Sequence, residues 1–233
     1  MAQALRMMGD IIISPSVAFS ALKGQPRWVF AATVISLCSV VLAVLLIPYS
    51  LQIVARMLSD QMDRQSIQRL FDGMRSFSII GALATPVMLM VKWLIVSAVF
   101  FSLAILFDAA HVRFRPMFSA IVHAEMIQLL MGLVNLAILA ARGADSIRNL
   151  SDLCMVPGLL TLMQTGNLTQ SSITLFANFN LFTVWYLMVL SIGLSTLTGF
   201  QRWKAGILVV VVWMFTVGFN VAISRFSEML RYP

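Results

Sequence analysis

FSIIGALATPVMLMVKWLIVSAVFFSLAILF (77–107), DAAHVRFRP (108–116) and MFSAIVHAEMIQLLMGLVNLAILAA (117–141) form the stretch that decides the fold. Each apolar segment is long enough, as a helix, to cross a hydrocarbon core of about 30 Å. The short basic loop between them makes the pair an antiparallel hairpin. Each segment also carries an ionisable residue that lipid rejects. Lys92 sits near the middle of the first, and Glu125, with His123 beside it, lies in the second. Charges at such depth face protein or water and mark candidate functional positions. Pro86 precedes Lys92 in the same helix, where it should introduce a kink and free a carbonyl within the membrane.

Outward from the hairpin, the chain of 233 residues is 60% hydrophobic and only 11% charged, where soluble domains carry about 25% charged residues. Three further apolar runs span: 28–47, which ends against Pro48, then 172–199 and 205–224. The expectation is an all-α integral membrane protein of five transmembrane helices in one domain, 1–233. Residues 9–27 read as an amphipathic helix on the inner surface. Ser14-Pro15 starts it, and Ile12, Ile13, Phe19 and Leu22 lie on lipid. Residues 50–76 repeat apolar positions at helical spacing and form one bent, or two short, amphipathic helices on the outer side. In the second outer segment, 142–171, the stretch 153–163 is too short to span and is split by Pro157-Gly158, so it is interfacial or re-entrant.

The net charge of +7 lies at span ends rather than in a patch, which reads as topology and headgroup contact, not nucleic-acid binding. With the N-terminus inside and the C-terminus outside, inner segments carry 7 Lys and Arg in 41 residues and outer ones 8 in 68. Arg27, Arg113, Arg115, Arg202 and Lys204 are the inner-surface basic residues in this arrangement. The first apolar run begins at residue 28 and spans fully, so it reads as a retained anchor rather than a cleaved signal. Cys38 and Cys154 offer no disulfide framework.

The third span carries a polar stripe. Glu125, Gln128, Gly132 and Asn135 fall within about 80° of one another on a helix, whereas His123 points nearly the opposite way, toward the inner headgroups. Rise from the shared loop puts Glu125 about 13 Å deep and Lys92 about 22 Å. A lysine side chain reaching toward the loop closes most of that difference, so a Lys92–Glu125 contact is expected, direct or through Gln128 or a water. Such a pair serves either helix register or function. The fourth span has its own stripe of Ala177, Asn180, Ser191, Ser195 and Thr198, the kind that lets helices approach closely. Lys92, Glu125, Gln128, Asn135 and Asn180 are therefore the candidate intramembrane polar cluster.

Catalytic signatures are missing. No H-E-x-x-H, G-x-S-x-G, phosphate loop or dinucleotide fingerprint occurs, and the two histidines and few carboxylates supply neither a metal site nor a nucleophile–base pair. A non-enzymatic protein without cofactor is expected.

Three stretches resemble the Yip domain (Ypt-interacting-protein-like) family. Ile13-Ser14-Pro15 with Phe19, Leu22, Pro26 and Trp28 is similar to the family's approach to its first span. Phe114-x-x-Met117-Phe118 leads into the third span, with Ala124-Glu125-Met126 where the family often has a Tyr-Pro pair. Asn180-x-Phe182-x-x-Trp185, Leu190, Gly193, Leu194, Lys204-Ala205 and Trp213 resemble its best-marked run, with Asn180 where Asp is usual. The short N-terminal tail and compact loops look like bacterial members and a bacterial cytoplasmic membrane. The resemblance implies Rab-type GTPase binding for eukaryotic members, but only about 27 residues precede the first span, which argues against it here. For some bacterial members it implies accessory subunits of ABC-type exporters.

Three functions follow as expectations. The first is an accessory or scaffold subunit that meets protein partners through its fourth and fifth spans. The second is a small-solute, ion or lipid conduit through the Lys92–Glu125 interior. The third is membrane shaping by the amphipathic segments.

Overall fold

The hairpin becomes one long helix, α4 (Arg64–Leu106), followed by a helix in two pieces, α5 (Phe114–Ala124) and α6 (Met126–Arg142), which meet at Glu125. The computed structural model describes residues 2–58, 64–107, 109, 111–143, 150–163 and 168–231. Ahead of the hairpin lie α1 (Ala2–Ile13), α2 (Pro15–Gly24) and α3 (Trp28–Leu58). After it come a 3₁₀ turn (Leu150–Leu153), α7 (Leu159–Leu162), α8 (Gln170–Ala177), α9 (Leu181–Thr198) and α10 (Arg202–Arg231). Five helical segments are long and apolar enough to cross a membrane: Trp28–Val54, Arg69–Leu106, Phe114–Arg142, Leu181–Thr198 and Arg202–Met229. The protein is an all-α integral membrane protein.

α5 is the axis of the bundle. Every residue from Pro116 to Ala124 is buried, because α2, α3, α4 and α9 surround it. Small residues at Ser119, Ala120 and Ala124 let those neighbours close in, which is how helices associate where lipid is as apolar as protein. Trp28 meets Phe118 edge-to-face with centroids 5.1 Å apart, and Phe114 meets Phe101 likewise at 5.7 Å. These rings tie α3, α4 and α5 at the end that carries the α4–α5 and α9–α10 turns. Arg113, Arg115, Arg202 and Lys204 are exposed or half-exposed there, which makes it the basic end of the bundle.

Several sequence expectations are corrected. α3 does not stop at Pro48 but runs on to Leu58. A proline removes one ladder bond, and Ser50 Oγ, donating to the Leu46 and Ile47 carbonyls at 3.1 and 3.0 Å, holds the next turn. Pro86, by contrast, lies within α4 as its place in the second span implies. The amphipathic stretch over 50–76 is helical where described, as the ends of α3 and α4 rather than as separate helices; residues 59–63 lie outside the described residues. The N-terminal element does not rest its apolar face on lipid. Ile11, Phe19 and Leu22 are fully buried, and only Ile13 of the expected lipid-facing set is strongly exposed, at 82%. Gly193 makes this possible: a Cβ there would fall 2.9 Å from Phe19 Cζ, so the ring lies on bare backbone of α9.

The fourth span is not one helix. It breaks at 178–180 between α8 and α9, and the segment before α7 fills the gap. Leu159 N–H donates to the Phe179 carbonyl at 2.8 Å, and Leu181 N–H to that of Pro157 at 3.3 Å. Irregular backbone beside a span still needs partners for its amides and carbonyls, and here protein supplies them. Gly158 permits the approach, since a Cβ there would sit 2.7 Å from both Asn180 Cβ and the Phe179 oxygen. At the same end, Glu228 of α10 accepts from Ser171 N–H at 2.9 Å and Ser171 Oγ at 2.6 Å. A carboxylate at a helix N-terminus is favoured by the orphan amides and the dipole, and here it fastens α10 to α8.

Candidate functional site: an intramembrane ion pair beside a polar cavity

Lys92 Nζ donates to Glu125 Oε1 at 2.6 Å. The other carboxylate oxygen accepts from Trp93 Nε1 at 3.3 Å. Two consecutive residues of α4 thus reach the same carboxylate from one turn, each taking one oxygen. Trp93 is fully buried, and its carbonyl in turn accepts from Ser97 Oγ at 2.5 Å. Glu125 is well placed to receive them because it stands at the one-residue interruption between α5 and α6. A charge-assisted bond is short and strong, and it offsets part of the cost of taking the carboxylate out of water.

The two partners are unequally covered. The Glu125 side chain is 6% exposed and that of Lys92 is 47%. The exposed part of Lys92 faces a cavity of about 250 Å³ between α4, α6, α9 and α10, which Gln128, Asn180, Thr183, Tyr186 and Asn220 also line. Asn180 is already committed: its Oδ1 caps α9 by accepting from Thr183 N–H at 2.9 Å, and its Nδ2 donates to the Ala177 carbonyl at 2.8 Å.

The expected polar stripe therefore divides. Lys92, Gln128 and Asn180 share the cavity, with Glu125 behind the lysine. Asn135 does not reach it. Seven residues along α6 from Gln128, about 10 Å, its amide donates to the Leu153 carbonyl and accepts from Met155 N–H, both at 2.8 Å, and so anchors 153–155 to the bundle. His123 does not lie near headgroups as its helical angle suggested. It is 2% exposed, with Nδ1–H donating to the Ser119 carbonyl at 2.8 Å, because α5 has no open side. Trp93, Thr183 and Tyr186 join the site without standing out in the sequence. Their only signal there is that of ordinary aromatic and hydroxyl residues inside apolar runs.

At the basic end a second cavity of about 250 Å³ is lined by Lys23, His111 and Arg113. Lys204 stands over the Trp203 ring, 5.6 Å from its centroid. Cys38 and Cys154 are both free thiols. No group of three or more His, Cys, Asp or Glu able to hold a metal ion occurs among the described residues.

No match is found among curated proteins or among solved structures. A family model, the Yip1 domain, matches residues 9–223, from within α1 to the last third of α10. The resemblance read from Phe19, the Asn180–Trp185 run and Lys204-Ala205 thus extends over almost the whole bundle, and the chain belongs to the Yip1 domain family.

Proposed function

We propose that the protein is a non-enzymatic accessory subunit of a larger membrane complex, of the ABC-type export kind, with α10 as its contact helix. In this reading the basic end faces the cytoplasm of a bacterial cell. One observation carries it. α10 is strongly apolar yet packed on one flank only, against α8 and α9: 11% of its most apolar window is buried, against 44% for α9. Helices in a bilayer associate through close packing and small residues rather than through apolarity. Met214, Phe215 and Phe219 project beside Gly218 around an open groove of about 600 Å³ on this flank.

Lipid tails could cover the same flank, so the test separates the two. A photo-crosslinking residue replaces Phe219 in native membranes, with one at the exposed Val87 of α4 as reference. A discrete protein adduct from position 219 and only lipid adducts from 87 is the expected result. Lipid adducts alone from both, with a lone monomer in mild detergent, would sink the proposal.

The cavity beside Lys92 favours a second reading, a conduit for a small solute, ion or lipid. Lys92→Met or Glu125→Gln should then abolish flux in proteoliposomes while the protein stays folded. Loss of folded protein in both would return the pair to a structural role.

A further inference from the structure

We propose that the cavity beside Lys92 binds one anionic amphiphile, its head on the ammonium and its tail laid between α4 and α10. This goes beyond the docking reading and does not rest on it, since a site can be filled without any transit or partner.

The lining is graded from polar to apolar. Along α4, Val96 and Phe100 lie about 6 and 12 Å on the basic-end side of Lys92. α9 runs the same way, placing Leu187 and Leu190 on the basic-end side of Thr183 and Tyr186. α10 runs oppositely, and its order reverses accordingly: Val209 and Val212 toward the basic end, Thr216 and Asn220 away from it. Three of the four lining helices thus put their polar residues at one end of the cavity and their apolar ones at the other; in α6 alone the order is reversed, with Gln128 nearer the basic end than Met131. Helix packing alone does not require that agreement.

The polar end is short of partners. The Gln128 amide, the Tyr186 hydroxyl and the Asn220 amide have no hydrogen-bond partner among the described residues. They are not sealed in, since Ser119 Oγ is the one fully enclosed side-chain oxygen or nitrogen left unpaired among those residues. Lys92 spends one donor on Glu125 and has two more to offer. The Lys92–Glu125 pair is neutral overall, but Lys92 is the member that lines the cavity, so what the pair presents there is the ammonium's free N–H donors. Three uncharged donors around an ammonium suit a phosphate or a carboxylate. At about 30 Å³ per water, the cavity has room for such a head and its first methylenes. Thr216 and Asn220 are exposed on α10, so the opening is lateral, toward the lipid phase. A soluble anion would have to cross hydrocarbon to reach it, whereas an amphiphile arrives from there.

Native mass spectrometry of the full chain in neutral detergent tests this, with dioleoyl phosphatidylglycerol, dioleoyl phosphatidylcholine and oleate added separately. About one equivalent of phosphatidylglycerol or oleate should be retained, and phosphatidylcholine about tenfold more weakly. Retention of phosphatidylglycerol alone identifies a phospholipid phosphate; retention of oleate alone identifies a fatty carboxylate. Gln128→Leu with Asn220→Leu should lower retention about tenfold, as should Lys92→Met with Glu125→Gln. The first pair leaves the ion pair intact and keeps the test decisive should the second fail to fold. Equal retention of all three amphiphiles overturns the proposal. So does retention unchanged by the amide variants, or lost instead when Arg113 and Lys204 become alanine.

Discussion

α5 and α10 are made of similar residues and have opposite fates. From Pro116 to Ala124, α5 is buried on every side, while α10 buries 11% of its most apolar window. In water, apolarity would have drawn both inward. In a bilayer it draws neither, and what separates them is detail. α5 offers small residues and a carboxylate that an ammonium and an indole hold from α4. α10 offers Val, Met and Phe with polar anchoring near one end, at Glu228. Burial in this protein therefore tracks close approach and polar contact rather than hydropathy.

The largest effect is expected at the ion pair, the strongest tie between α4 and the α5–α6 helix. Lys92→Met strands the buried carboxylate and should cost about 3–5 kcal/mol. Glu125→Gln leaves a half-exposed ammonium and should cost less, and the two changes together should recover most of the larger loss. Thermal unfolding in detergent of the four proteins of the cycle decides it. Additive losses would mean that the pair is uncoupled and that α5 is held by packing alone.

Next come two glycines. Gly193→Leu should cost about 1–3 kcal/mol by forcing Phe19 off α9. Gly218→Leu meets nothing within 4 Å and, by removing a mid-helix glycine, should be neutral or stabilising by up to about 1 kcal/mol. The same Gly218 change fills the groove on α10, so it should also abolish the Phe219 crosslink without unfolding the protein. Equal destabilisation at both positions would erase the contrast between a packed and an open helix.

Smaller again is the clamp at Glu228. Glu228→Gln leaves the bundle folded but should speed amide exchange at Ser171 and the last turns of α10, with no change at α5. Hydrogen exchange read by mass spectrometry follows both regions at once. Finally, burial pushes the Cys154 thiol up from its ordinary range. Only the thiolate alkylates, so in a Cys38→Ser background labelling should lag a free thiol near pH 8 and catch up as pH rises further. Asn135→Ala, which frees 153–155, should narrow that lag.

Sequence carries the spans well, because a run of about 20 apolar residues fits a bilayer and little else. Lys92 and Glu125 stand out for the same reason, as charges in stretches that exclude them, and helical rise alone makes their meeting plausible. What sequence does not carry is the identity of the neighbour. Phe19 and Leu22 read correctly as one apolar face, but period cannot say whether lipid or α9 covers it. The angle between His123 and Glu125 means little on a helix with no open side. The break at 178–180 has a signal in Asn178, Asn180 and Gly158, yet needs the pairing of 157–159 with 179–181 to become structure. Tyr186 and Trp93 have no local signature at all.

That Glu125 lies between two helix pieces and 33 residues after its lysine bears on biogenesis. Synthesis delivers α4 to the translocon first, so the ammonium is already waiting when the acid emerges. A carboxylate costing about 2.5–3.5 kcal/mol to insert unaccompanied enters instead as half of an escorted hairpin. The axis of the bundle is thereby threaded safely before α9 and α10 exist to enclose it.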